Sequence, residues 1–185
     1  MEFKNYINGA WVGAADGKTF VQRDPANLEN VTGIWPSSTR QDAQRAIEAA
    51  HAAFPAWADL GVHGRAQYLS QALQILKGRI ETVAAILTEE NGKTLEESRT
   101  EVSSAIREME FQIAQGIAFC GETVPSSQPG VFAYSTRRPL GVAAIISPWN
   151  FPFNVPGRKG TPALISGNTM VFKPASLTPK AGKAF

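Results

Sequence analysis

Up to residue 117 the apolar residues recur at the three- and four-residue steps of helix faces. Beyond residue 130 they gather into short runs of strand-like composition. Thr39 with Asp42 three residues on makes a capping box, and Ala43, Ala46, Ile47, Ala50 and Phe54 form the stripe behind it. That helix is predicted to end near Pro55. A second begins near Arg65, with Leu69, Leu73, Leu76 and Ile80 on one face. Val83, Ile86 and Leu87 continue it past a break near Gly78, up to an Asn91-Gly92 stop. Thr94 with Glu97 opens a third, whose apolar face is Val102, Ala105, Ile106, Met109, Ile113 and Ile117. Cys120 closes it and reads as a buried structural thiol. The carboxylates Glu89, Glu90, Glu96, Glu97, Glu101, Glu108 and Glu110 read as solvated helix faces. His51 has no second ligand nearby and reads as a surface or packing residue.

Strand signals flank this helical block. Residues 3–12 and 18–23 read as a hairpin region, with turns at Asn8-Gly9 and Asp16-Gly17, and 31–35 as one more short strand. After Gly121 the alternation of Phe132, Tyr134 and Thr136 reads as an exposed strand that a subunit or another segment covers. Val142–Ile146 and Thr169–Phe172 are bounded by Gly and Pro and suit buried strands. Between them Val155–Ser166 suits a helix, with Pro156 in its first turn and Gly167 just past its end. Strand, helix, strand over about 30 residues is one βαβ unit. Thr178-Pro179 looks like a capped start of a further helix.

Ligands bind such units beyond the carboxyl ends of the strands. Ser147, Pro148, Trp149 and Asn150 follow the first strand; Lys173, Pro174, Ala175 and Ser176 follow the second. Pro148 and Pro152 stiffen the first loop, so the Asn150 amide is held out on a rigid turn. That amide can donate two hydrogen bonds, to the loop's own backbone or outward. By itself Lys173 reads as a strand-end charge, and Trp149 suits the core.

Composition narrows the classes. The chain has 185 residues with 43% hydrophobic and 18% charged, which is globular. Eighteen basic against sixteen acidic residues give a net charge of +2, too balanced to argue for nucleic acid. A single Cys leaves no internal disulfide, and there is no Cys/His cluster for zinc. No leader-like N-terminus and no apolar run of about 20 residues is present, so a cytoplasmic protein without a membrane partner is expected. A two-stranded parallel sheet is too small to be covered on both faces, so the chain reads as the front part of a longer protein.

Ser147-Pro148-Trp149-Asn150-Phe151-Pro152, Gly167-Asn168-Thr169, Phe172-Lys173-Pro174-Ala175 and Thr178-Pro179 together resemble the aldehyde dehydrogenase superfamily. The Tyr6-Ile7-Asn8-Gly9 start, Gly92-Lys93 and the Arg138-Pro139-Leu140-Gly141-Val142 entry into the sheet extend the match along the whole chain. It is nearest the succinic and α-ketoglutaric semialdehyde dehydrogenase group. The resemblance implies an incomplete α/β fold: a helical layer, the opening βαβ unit of a Rossmann-like cofactor domain, and part of an oligomerisation β-ribbon. Residues 1–120 would be the hairpin and helical part, 121–139 the ribbon strands, and 140–185 the start of the NAD(P)-binding sheet.

It further implies oxidation of a small-molecule aldehyde with NADP or NAD, by a homodimer or homotetramer when full length. Asn150 matches the family's oxyanion donor, and Lys173 the lysine on the adenosine ribose. Ser147, Pro148 and Trp149 would line the cofactor cleft. Ser176 stands where NAD-selective members often carry a glutamate, which points to NADP. Arg158 matches an arginine that grips a distal substrate carboxylate, or is an exposed helix charge. The family's nucleophilic Cys and its Glu motif are absent from these residues, so the 185 residues alone are expected to be inactive. The competing expectation is a non-catalytic nucleotide-binding or structural member of the same fold. A phosphorylating relative is a third.

Overall fold

Asn8 and Gly9 both take positive φ, 50° and 76°, as a two-residue primed turn requires. They join β1 (Asn5–Ile7) to β2 (Ala10–Val12) in the computed structural model, which describes residues 1–185. β3 (Thr19–Asp24) does not extend that hairpin. It pairs antiparallel with β4 (Asn27–Pro36), so the strand expected at 18–23 finds its partner in the one expected at 31–35. Phe3 stacks on Trp35, with ring centroids 4.0 Å apart, and ties the N-terminus to this second ribbon.

α1 (Arg40–Asp59) starts at the Thr39 cap, where Asp42 accepts from the Thr39 N–H at 2.8 Å. It runs through Pro55 instead of ending there. Proline removes one donor from the ladder, and the last turn is held from outside. Trp57 Nε1 donates to the Leu164 carbonyl at 3.0 Å, and Arg65 donates to the Ala58 carbonyl at 2.8 Å. α2 (Gly61–Lys77) and α3 (Ile80–Asn91) are separated at Gly78, and Gly92 caps α3 in the left-handed region at φ 81°. α4 (Leu95–Ile117) opens on the Thr94–Glu97 capping box. Beyond Ile117, itself partly exposed, the stripe has left the core. Cys120 therefore lies exposed outside the helix, which corrects the expected buried thiol.

β5 (Thr123–Val124) and β6 (Ala133–Tyr134) form a minimal antiparallel pair, with Phe132 and Tyr134 exposed. β7 (Val142–Ile146) and β8 (Thr169–Lys173) pair in parallel, with Val142 opposite Thr169 and Ile146 opposite Lys173. α5 (Asn154–Ile165) makes the crossover between them. Alternate residues of a strand face opposite ways. Thr169 Oγ1 donates to the Ala50 carbonyl of α1 at 2.8 Å, whereas Met170 reaches Gly160 of α5. The two helices thus lie on opposite faces of the pair. α1 covers its face only in part, and Ile146 stays 73% exposed.

One core joins the layers. Leu69, Leu73 and Leu76 of α2, Val83 and Leu87 of α3, and Val102, Ile106, Met109 and Ile113 of α4 enclose Phe153 and Ile165. At the α4–α5 crossing Gly116 lies so close that a Cβ there would sit 2.3 Å from Ile165 Cγ1.

α6 (Pro179–Ala184) also corrects an expectation. Thr178 is buried, but its hydroxyl caps nothing. Glu90 from α3 does that work, accepting from the N–H groups of Lys180 and Ala181 at 2.7 Å each. Glu90 is therefore not on a solvated face. Burial pushes its carboxyl up to about 7 from an ordinary 4.5, against those two donors and the Lys180 charge, with Glu89 adding repulsion. Between those values the folded chain holds a proton that the unfolded chain releases. The stability this gives is whole below pH 4.5 and is lost as pH rises through 7, by roughly 3 kcal/mol. Urea unfolding at about pH 5 and about pH 8 reads it, and Glu90→Gln should flatten the difference. An undiminished difference in that variant would assign the pH dependence to another group.

Candidate functional site

The loop from β7 to α5 is short, bracketed by Pro148 and Pro152, and fastened by side chains distant in sequence. Asn91 Nδ2 donates to the Trp149 carbonyl at 2.8 Å. Lys93 Nζ donates to the Asn150 carbonyl at 3.1 Å and lies over the Phe151 ring, 5.0 Å from its centroid. Glu101 Oε1 accepts from the N–H groups of Phe153 and Asn154 at 2.9 and 3.1 Å, and Oε2 pairs with Lys93. Glu101 is buried, which corrects the solvated-face expectation a second time. A carboxylate fits there because first-turn N–H groups of a helix lack partners and carry partial positive charge.

Asn150 itself is exposed, and none of these contacts uses its side-chain amide. It opens into a groove of about 750 Å³ between α4 and α5. Lys93, Glu96, Glu97, Thr100, Glu101, Ser104, Glu108, Phe151, Asn154, Val155 and Arg158 line the rest. Arg158 is exposed, and its guanidinium pairs with Glu108 Oε1 at 3.0 Å. Glu108 Oε2 and Gln112 Oε1 are buried beside it without partners. Four carboxylates against two cations make the groove acidic.

The remaining expected residues gather elsewhere, at the carboxyl ends of the strands. Ser147 N–H donates to the Lys173 carbonyl at 3.3 Å, so the two positions are adjacent. Ser147 is buried and its hydroxyl has no partner. Lys173 is exposed, with Nζ on the Pro174 carbonyl at 2.8 Å. Ser176, Pro148 and Trp149 are exposed, so Trp149 is not a core residue. Asn150 and Arg158 thus share one groove, while Lys173 and Ser176 lie outside it. No cluster of His, Cys, Asp and Glu suited to a metal is present, and no helix is long and apolar enough to cross a membrane.

A model of the aldehyde dehydrogenase family matches residues 11–185. An α-ketoglutaric semialdehyde dehydrogenase of Bacillus subtilis is 39% identical over 176 residues, which is 95% of this chain and 36% of the relative. An NADP-dependent D-glyceraldehyde dehydrogenase of Thermoplasma acidophilum is 38% identical over 181 residues, 97% of this chain and 36% of the relative. The crystal structure of a succinate-semialdehyde dehydrogenase from Burkholderia pseudomallei superposes with a TM-score of 0.95 at 35% identity, covering 98% of this chain and 38% of that one. The chain spans little more than a third of the length of these relatives.

Proposed function

The chain belongs to the aldehyde dehydrogenase family, and from that we propose that it supplies the asparagine loop and the opening of the nucleotide site to an enzyme that oxidises aldehydes to acids with NADP or NAD. The observation that carries this is Asn150. Its amide is unspent, on a loop that other side chains tie down, and the residue lines an open groove. The bracing role open to the Asn150 amide is filled by Asn91, Lys93 and Glu101.

Two adjacent strand ends suit the nucleotide. The exposed Lys173 ammonium offers donors where such folds place a ribose and phosphates, and the Ser147 backbone borders the same strand ends. We assign Ser147, Pro148, Trp149, Lys173 and Ser176 to that site. When bound, the nicotinamide accepts the hydride. Ser176 carries no charge to repel a 2′-phosphate, so we assign use of NADP as well as NAD. Residues 1–120 and 140–185 form the helical and sheet parts of this cofactor domain in our reading. The exposed β5–β6 pair within 121–139 is a ribbon for assembly into a homodimer or homotetramer. We expect no turnover from these residues alone.

Arg158 is our candidate for the distal carboxylate of a semialdehyde acid. Glu108 already pairs with it, so a substrate carboxylate must displace that partner. A charge-assisted pair is worth about 1.5–3 kcal/mol, or about 10- to 150-fold in binding. Arg158→Leu should raise KM for succinic or α-ketoglutaric semialdehyde by about that factor and leave propanal unaffected. Glu108→Gln should lower the same KM. Equal effects on both aldehyde classes would remove Arg158 from the substrate site.

The reading as a whole is tested by following reduced nicotinamide with the full-length enzyme, NADP and NAD, and a panel of neutral and carboxylated aldehydes. Turnover supports it. Nucleotide binding with no turnover on any aldehyde would favour a non-catalytic member of the same fold.

A further inference from the structure

Both peptide groups that flank the Asn150 Cα are held by side chains from the turn between α3 and α4. The Trp149 carbonyl belongs to the peptide before Asn150, and Asn91 donates to it at 2.8 Å. The Asn150 carbonyl belongs to the peptide after it, and Lys93 donates to that one at 3.1 Å. Fixing both planes fixes φ and ψ at Asn150, and with them the direction of its Cβ. We propose that Asn91 and Lys93 are positioning residues that aim the Asn150 amide, with Glu101 holding Lys93 in place. The inference rests on reading Asn150 as the donor to the developing oxyanion.

The anchor is rigid at its own end. Asn91 is the last residue of α3, closed by the left-handed Gly92, and Lys93 immediately precedes the Thr94 capping box of α4. The Glu101 carboxylate is almost wholly enclosed, with its side chain 1% exposed. An apolar residue would fill that space without the desolvation cost of a charge. The carboxylate does something an apolar group cannot. It orients the N–H groups of Phe153, at the cap of α5, and of Asn154 with one oxygen, and the Lys93 ammonium with the other. Lys93 keeps one N–H direction for the loop carbonyl and holds its ammonium over the Phe151 ring. The Asn150 side chain takes no part in this network, so it can be aimed without being engaged.

An oxyanion donor loses most of its effect when misplaced by about 1 Å, a displacement that costs about 100-fold in rate. In the full-length enzyme Asn91→Ala and Lys93→Met should therefore lower kcat by about 10- to 100-fold. The Kd for nucleotide and the Tm should stay near the parent values for Asn91→Ala, which leaves the buried carboxylate paired. Lys93→Arg should restore part of kcat. Combining Asn91→Ala with Asn150→Ala should cost little beyond Asn150→Ala alone, because the first acts through the second. In amide hydrogen exchange, protection should fall at Phe151, Phe153 and Asn154 and persist in the α4 core. If kcat, nucleotide Kd and Tm decline together, or if the two substitutions multiply, the residues are merely structural and the proposal is overturned. If Asn150→Ala is slow and Asn91→Ala and Lys93→Met are not, the positioning role alone is wrong. If Asn150→Ala itself leaves kcat unchanged, the reading of Asn150 has failed and this inference goes with it.

Discussion

Asn150→Ala is expected to lower kcat for aldehyde oxidation by about 100- to 1,000-fold in the full-length enzyme, which corresponds to about 2.7–4 kcal/mol of lost transition-state stabilisation. Attack on an aldehyde carbonyl turns its oxygen into an anion, and a preset amide N–H stabilises that charge with no reorganisation. Water in the alanine variant must reorient to do the same. The donor is worth most where no other bond uses it, and the Asn150 amide is unspent beside the groove that the residue lines. Its truncation removes no core contact, since the side chain is exposed. Nucleotide affinity, measured by titration, should therefore hold while kcat collapses. An unchanged kcat would reduce Asn150 to a surface amide.

Phe153→Ala is expected to destabilise the fold by about 3–5 kcal/mol, with a Tm lowered by on the order of 10 °C. Phe153 is fully buried and is the largest enclosed side chain. Its ring meets Phe185 edge-on at 5.9 Å and lies in the cluster with Met109, Ile106 and Val102. Removing it hollows the junction of α4, α5 and α6. Its own N–H is one of the two that Glu101 accepts. The cavity thus opens directly beneath the Asn150 loop. Denaturant unfolding of the variant measures the loss, and a change under about 1 kcal/mol would mean that the neighbours close the gap.

The helices, both strands of the parallel pair and the Gly92 stop were legible because period, cap and breaker agreed at each. Pro55 misled because its cost is local, whereas the bonds of Trp57 and Arg65 that carry α1 past it come from residues not adjacent in sequence. The buried carboxylates did leave a trace. Glu90 follows Val83 and Leu87 at helical steps, and Ser98 and Glu101 precede Val102 and Ala105 on the same face of α4. Charged residues on an apolar stripe are misread as solvated when their partners are backbone N–H groups of a distant segment. Those partners at 153–154 and 180–181 carry no side-chain signature. The Asn150 loop could be located from its prolines, but what holds it, and the Glu108 partner of Arg158, required the packing of α4 on α5.

Gly116 gives that packing a reach beyond its own neighbourhood. α5 has 12 residues and is therefore about 18 Å long, with Ile165 at one end and the groove at the other. A side chain at 116 would push the Ile165 end outward while Glu101 keeps the opposite end pinned. A shove of 1 Å, acting on a rod of that length, tilts it by about 3°. The absence of a single methyl group on one helix thus sets the pitch of a rod that pivots on its Glu101-held end, with Arg158 about 6 Å along it.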